Sequence, residues 1–320
     1  MAIWPRQTYY GAEKPPRDRL PDLSHPLAQG LVGEWNMSEG EGLIAFDRSG
    51  YGNHGALVNG PTWVAGDRGG LAANFPAAAT TSYIDGGASE GLEIVAGQSM
   101  TIIASVYPRV VSTGGDTGSH HIVNRIDPAD NDRRNYALRI EATGILGFHY
   151  RNVTNTAWNI WKTGAVCVAN AWQQLAVSYT MGTGATLRTY RNGQNVAGSW
   201  TTGTGNEAPY TTGAQNIAIG LIVHTAIEPF NGLVDTVAIY NRALSATEIA
   251  ELYSQPFAYY PRPRRFWYTT EAGTQTLTSD IDDFILNLSN DDQTIDLNDR
   301  DQLLHISNDD QIIDLRTSVG

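Results

Sequence analysis

The chain has 320 residues and a net charge of −12, with 33 acidic against 21 basic side chains, more length than one ordinary domain needs. With no basic stripe to neutralise phosphates, the balance argues against a nucleic-acid partner. A lone cysteine, Cys167 in the apolar run GAVCVAN, excludes an intramolecular disulfide, and no apolar run reaches signal-peptide or membrane-span length, so the chain is expected to fold in a cytoplasm without membrane insertion.

Residues 1–28 are rich in Pro, Arg and Tyr, lack both helical and strand periodicity, and predict an arm lying on another surface. From Leu31 short apolar-alternating runs separated by Gly, Asn, Asp and Ser clusters predict an all-β sandwich over residues 29–256. The predicted strands are 31–37, 81–86, 100–110, 120–126, 135–142, 145–151, 172–180, 186–191, 215–223 and 232–240. Within the glycine-rich loop DRSGYGNHG, residues 47–55, the oxygens of Asp47 and Asn53 can converge with carbonyls on a hard cation such as calcium. The run DPADNDRR, residues 127–134, predicts a solvated charged loop.

The segment 147–164 crowds His149, Tyr150, Arg151, Trp158 and Trp161 among polar amides. Aromatic faces beside hydrogen-bonding groups suit carbohydrate, whose rings present both C–H patches and hydroxyls, so these five are the candidate sugar-binding residues; core filling is the competing role for each ring. Trp200, Tyr210 and His224 lie in loops that can reach the same face. Asn192-Gly193 predicts a hairpin turn. In LVDTVAIY, strand alternation places Leu233, Asp235, Val237 and Ile239 on one side, and a carboxylate there requires a cation, an arginine or a row of amides. Ser245 and Glu248 form a capping box for a helix over 246–254, which Pro256 stops.

Beyond it, residues 257–279 begin aromatic and basic, FAYYPRPRRFWY, and read as a linker or docking strip. The tail 280–320 holds four nine-residue units, DIDDFILNL, SNDDQTIDL, NDRDQLLHI and SNDDQIIDL, with apolar residues at the seventh and ninth positions of each. Two aliphatic side chains per nine ordered residues are too few to offset the backbone entropy. The tail is therefore expected to fold against other surfaces, most simply identical tails in a trimer or a neighbouring protein of an assembly.

The pattern GLVGEWNMSEGEG, the loop DRSGYGNHG, the strand GLVD and the turn IYNRALS, in that order from Gly30 to Tyr253, resemble the LamG-like jelly-roll family of the concanavalin A-like lectin superfamily. The resemblance implies an all-β, two-sheet antiparallel jelly-roll, with Ca2+ held by Asp47, Asn53 and Asp235. The family often carries a second acid after the strand aspartate, where this chain has Thr236. The stretch SHPLAQGLVG resembles the start of such domains in tailed-bacteriophage structural proteins. That implies a virion protein of capsid, tail or fibre, with other virion proteins, copies of itself, and cell-surface or mucus glycans as partners. Glycosidases of the superfamily carry E-x-D-x-x-E on one strand to supply nucleophile and acid; this sequence has no such triplet, so no catalytic residue is expected. A ligand-free capsid-stabilising protein, and a bacterial surface adhesin or glycan-degrading enzyme, are the alternatives.

Overall fold

The computed structural model describes residues 9–76, 81–88, 90–111, 120–211, 215–222, 228–262, 266–271, 274–279, 285–288, 293–296, 302–306 and 313–317. His224 lies outside them. The chain divides into a unit Tyr9–Pro261 and a second unit from Arg262 onward. The strands of the first are β1 (Tyr9–Gly11), β2 (Leu31–Trp35), β3 (Ile44–Ala45), β4 (Gly55–Val58), β5 (Thr62–Ala65), β6 (Leu71–Phe75), β7 (Tyr83–Ala88), β8 (Ser99–Pro108), β9 (His120–Asp127) and β10 (Asp130–Glu141). They continue with β11 (Ile145–Arg151), β12 (Trp158–Ala165), β13 (Gln173–Thr180), β14 (Arg188–Arg191), β15 (Gln194–Val196), β16 (Gly198–Thr202), β17 (Asn216–Ile219), β18 (Gly232–Tyr240) and β19 (Phe257–Pro261).

Period-two alternation sorts these strands into two antiparallel sheets that share one core. One sheet runs β16-β12-β11-β10-β9-β17-β7-β4-β3, and the other β15-β14-β13-β8-β18-β6-β5, with β2 also paired to β18. Met100, Ile102, Ala104 and Val106 of β8, Leu146, Phe148 and Tyr150 of β11, and Leu175, Val177 and Tyr179 of β13 face inward and are buried together. The result is the expected jelly-roll sandwich. Arg191 pairs with Gln194 across the Asn192-Gly193 turn, where both residues have positive φ, 51° and 74°. Helix α1 spans Ala246–Ser254 with both halves of the Ser245–Glu248 capping box formed.

A second core covers the outer face of the β8–β18 sheet. Leu27, Ala28 and Leu31, Ile249 and Leu252 of α1, and Phe257, Tyr259 and Tyr260 of β19 pack there with Tyr240. β1 pairs with β19, Tyr9 opposite Pro261. Residues 9–28 and 257–261, read from sequence as an arm lying elsewhere and part of a linker, therefore belong to the sandwich unit. They do so because β18 is apolar on both faces, and its outer face needs a cover. Glu34 of β2, fully buried, fastens this cover by accepting hydrogen bonds from the hydroxyls of Tyr259 (2.8 Å) and Tyr260 (2.7 Å). Burial pushes its carboxyl up to about 7, against the pull of those two donors.

The second unit has β20 (Phe266–Glu271), β21 (Thr274–Ser279) and β22 (Ile285–Leu288) in one antiparallel sheet, and β23 (Gln293–Asp296), β24 (Gln302–Ile306) and β25 (Ile313–Thr317) in another. Residues 266–271 and 274–279, within the segment read as linker or docking strip, are paired strands. Each nine-residue unit places a strand in its second half, and Ile295, Leu304 and Leu315 occupy one register position across three strands. Among the described residues no helix is long and apolar enough to cross a membrane.

Candidate functional site

Strand alternation divides the five candidate sugar-binding residues between the two faces of the first sheet. Tyr150 points into the core, packed on Phe148, Tyr179 and Trp200, and donates its hydroxyl to the Glu207 carbonyl (2.9 Å). Trp161, opposite Phe148 in the register, also turns inward and meets Trp200 edge to face at 5.6 Å. Tyr150 is a core residue, and Trp161 is partly buried against the core. Trp200 and the buried Tyr210 likewise serve packing. His149, Arg151 and Trp158 stand on the outer face, Arg151 directly opposite Trp158.

That face carries a charged row the sequence reading missed. His121, Arg139, Gly147 and Lys162 are successive register partners across β9, β10, β11 and β12. Glu141 and His149 meet above Gly147, where a Cβ would lie 2.5 Å from Glu141 Oε1 and 3.1 Å from His149 Nε2. Only glycine leaves that room. Glu141 Oε1 accepts from Arg139 Nε (3.2 Å) and from His149 Nε2, and Oε2 takes Lys162 Nζ. Arg139 Nη1 reaches Glu228 Oε2 at 3.1 Å, which also takes His121 Nε2 at 2.9 Å.

Burial and the nearby guanidiniums hold both imidazoles neutral, with His149 and His121 each lowered to about 3. Burial opposes ionisation of Glu141, yet His149, Arg139 and Lys162 outweigh it and hold its carboxyl at about 2. Glu228 is lowered as well, its contacts with His121 and Arg139 overriding burial. Both carboxylates are therefore ionised and act as fixed acceptors.

Beside this network lies an aromatic–cation cluster. The guanidiniums of Arg134 and Arg151 sit 5.0 and 4.6 Å from the centre of the half-buried Trp158 ring. Arg151 is braced by Asn155 Oδ1 (3.0 Å) and Asp132 Oδ2 (3.4 Å). Arg134 corrects an expectation: the run 127–134 was to be solvated, but it continues into β10, and the irregular register between Arg134 and Tyr136 turns this arginine, 4% exposed, toward Trp158.

The proposed calcium ligands are not one cluster. Asp47 Oδ1 accepts the amides of Glu34 and Ser49 (both 2.9 Å) and Oδ2 that of Asn53 (2.8 Å), while the Asn53 side chain donates to the Val32 carbonyl. Asp235 is the extra residue of a bulge: Val234 pairs with Val106 and Thr236 with Ser105. The bulge breaks the alternation, so Asp235 leaves the face of Val237 and Ile239 and turns to the outer side. There Lys14 Nζ meets its Oδ1 and its carbonyl, both at 2.9 Å, and the Leu71 carbonyl as well; the Asp67 amide (3.2 Å) and Thr236 hydroxyl (3.0 Å) complete the set. The cation that Asp235 required is a lysine of the N-terminal segment. Both carboxylates are filled by protein donors and share no partner, and among the described residues no group of three or more His, Cys, Asp or Glu is placed to hold a metal. These residues do not fit calcium.

Comparison with known proteins places this geometry. Domain 4 of AbnA, an extracellular GH43 arabinanase from Geobacillus stearothermophilus solved with arabinotriose, is similar at 20% identity and a TM-score of 0.50, over 69% of this chain and 97% of that one. The binding domain of Paraclostridial Mosquitocidal Protein 1 is similar at 14% identity and a TM-score of 0.55, over 91% and 82%. That of botulinum neurotoxin serotype D is similar at 10% identity and 0.51, over 92% and 79%. At these identities the likeness is one of fold. No curated protein matches the sequence. The model of the concanavalin A-like lectin/glucanases superfamily matches residues 78–250, more than half of the chain, and the chain belongs to that family.

Proposed function

We propose that the sandwich is a glycan-binding module, and that it recognises saccharide on the outer face of the first sheet through Trp158, Arg151 and the adjoining Lys162. The observation that carries this reading is the half-buried Trp158 ring of β12, held by two guanidiniums, Arg134 of β10 and Arg151 of β11, next to a network whose charges are already paired. A prearranged aromatic surface rimmed by hydrogen-bond donors suits a sugar ring and its hydroxyls. The family and the similar folds, one of them solved with arabinotriose, support it.

The two carboxylates of this face support binding rather than hydrolysis there. A glycosidase needs one carboxyl that keeps its proton, and Glu141 and Glu228 are both held below the usual range by arginine and histidine partners. The wider setting we propose is a bacteriophage virion, where the repeat-bearing second unit attaches the protein through copies of itself or a neighbouring protein, and the sandwich meets host-surface or mucus glycans. The ground for it is the resemblance of SHPLAQGLVG and the four nine-residue units.

The test is the full chain on an array of bacterial surface polysaccharides, mucin glycans and short oligosaccharides, beside Trp158→Ala. Saturable binding weakened at least tenfold by the substitution is expected. No binding, or binding indifferent to Trp158→Ala, overturns the module's role and leaves a structural spacer. Mass spectrometry of purified particles from the source tests the virion setting, which absence from particles refutes.

A further inference from the structure

The outer face of the other sheet holds a cavity of about 180 Å³ that the reading above does not use. Its floor follows from register. Gln174 of β13, Ser105 of β8 and Thr236 of β18 are partners in one row across three neighbouring strands, and the next row is Ala176, Ile103 and Ala238. Ala238, which lines the cavity, leaves space where a larger side chain would fill it. The bulge at Asp235 and Thr236 turns both polar groups into that space rather than toward the core. Helix α1 forms one wall through Leu252 and Tyr253, and Trp172, half-buried and edge-on to Tyr107 at 5.6 Å, forms part of the rim. Arg68 is fixed at the same rim by bonds to the Tyr253 and Ser254 carbonyls.

A second observation points to an occupant. Gln174 is 7% exposed; its Nε2 donates to the Leu252 carbonyl at 3.0 Å, while its Oε1, buried, has no hydrogen-bond partner. A buried acceptor left unmatched is costly, and Gln174 lines the cavity, so a donor placed there has a ready role. The charge of the Asp235 carboxylate in the wall is already matched by Lys14, so no further cation is called for. Volume limits the size: 180 Å³ far exceeds the roughly 10–15 Å³ that one water needs and falls short of the roughly 300–1,000 Å³ of pockets for larger ligands. What fits is a single ring that offers hydroxyl donors below and a C–H face to Trp172.

We propose that this cavity is a second saccharide site, taking one neutral sugar residue with its hydroxyls on Gln174 and Thr236 and its apolar face against Trp172. It rests on the glycan-binding reading for the class of ligand but on none of that site's residues. Two sites on opposite faces of the sandwich would let one unit bridge two chains or two branches of a glycan.

The test is NMR titration of the full chain with methyl glucoside, methyl galactoside, N-acetylglucosamine and arabinotriose, following the Trp172 indole and Gln174 side-chain amide separately from the Trp158 indole. Saturable shifts at Trp172 and Gln174 are expected, weakened at least tenfold by Trp172→Ala and by the cavity-filling Ala238→Leu, and kept in Trp158→Ala. Shifts that survive both cavity variants, or that vanish in Trp158→Ala, overturn the second site and leave the first standing. Shifts at Trp172 and Gln174 without any at Trp158 support the cavity and refute the first site. If no sugar of the panel moves either set, both fall.

Discussion

The Lys14–Asp235 pair offers the sharpest test of how the N-terminal segment is held. Its side chains are 1% and 3% exposed, and Lys14 Nζ has three acceptors, the Asp235 carboxylate and the carbonyls of Asp235 and Leu71. Asp235→Asn leaves a buried ammonium without counter-charge, and Lys14→Met leaves a buried carboxylate with only the Asp67 amide and the Thr236 hydroxyl. Breaking one side of such a pair costs about 3–5 kcal/mol, and at about 2–4 °C per kcal/mol for a unit of this size the Tm falls by about 6–20 °C. The double variant, with no stranded charge, should recover part of the loss, giving a coupling of up to about 3 kcal/mol. Urea unfolding and calorimetry of the four proteins measure the cycle. Single-variant costs below about 1 kcal/mol, the range of an exposed pair, would refute the reasoning. Chelation should leave the parent Tm unchanged, because the oxygens of Asp47 and Asp235 are occupied by protein donors; a fall with EDTA that calcium reverses would restore the metal reading.

Stability should also depend on pH in a way the buried groups dictate. His121 and His149, lowered in the folded protein to about 3 from 6.5, contribute stability that is present above pH 6.5 and lost as pH falls toward 3; Glu141, lowered to about 2 from 4.5, adds a loss below pH 4.5. Glu34 acts in the opposite sense, since its raised value of about 7 makes its contribution full below pH 4.5 and lost as pH rises through 7. Urea midpoints from pH 3 to 8 should therefore climb to about pH 6 and flatten or dip above it, and a monotonic rise through pH 8 would contradict the Glu34 assignment. Gly147→Ala places a methyl 2.5 Å from Glu141 Oε1 and should separate Glu141 from His149, seen as a rise of the Glu141 pKa in NMR titration because His149 is among the groups that lower it; an unchanged titration counts against the crowding argument. Light scattering should find the full chain oligomeric and a chain ending at Pro261 monomeric, and a monomeric full chain would remove the ground for assembly through the repeats.

The sandwich was legible because central strands alternate cleanly: β8, β11 and β13 each advertise an inward face, and α1 and the Asn192-Gly193 turn carry their own signals. The short strands β3 to β6 have too few residues for a period to show. The second core hid for a different reason. Phe257, Tyr259 and Tyr260 look like an aromatic linker until the outer face of β18, also apolar, is placed beneath them. At the site, adjacent residues fall on opposite faces, so a cluster close in sequence was split; alternation alone would have separated Tyr150 from His149 and Arg151. The bulge at Asp235 leaves no mark in composition, and it inverted the face assigned to that acid. Lys14 lies 221 residues from its partner, a pairing no local pattern announces. The row His121, Arg139, Gly147 and Lys162 becomes visible only once four strands are in register.

The pairing of β1 with β19 sets Tyr9 and Pro261, the first and last residues of the sandwich, side by side. The two ends of the sandwich unit therefore leave it through one doorway. Such a module can be spliced into a surface loop of an unrelated host with little distortion. Tension along that host would peel two short strands one hydrogen bond at a time and reach the sandwich core last.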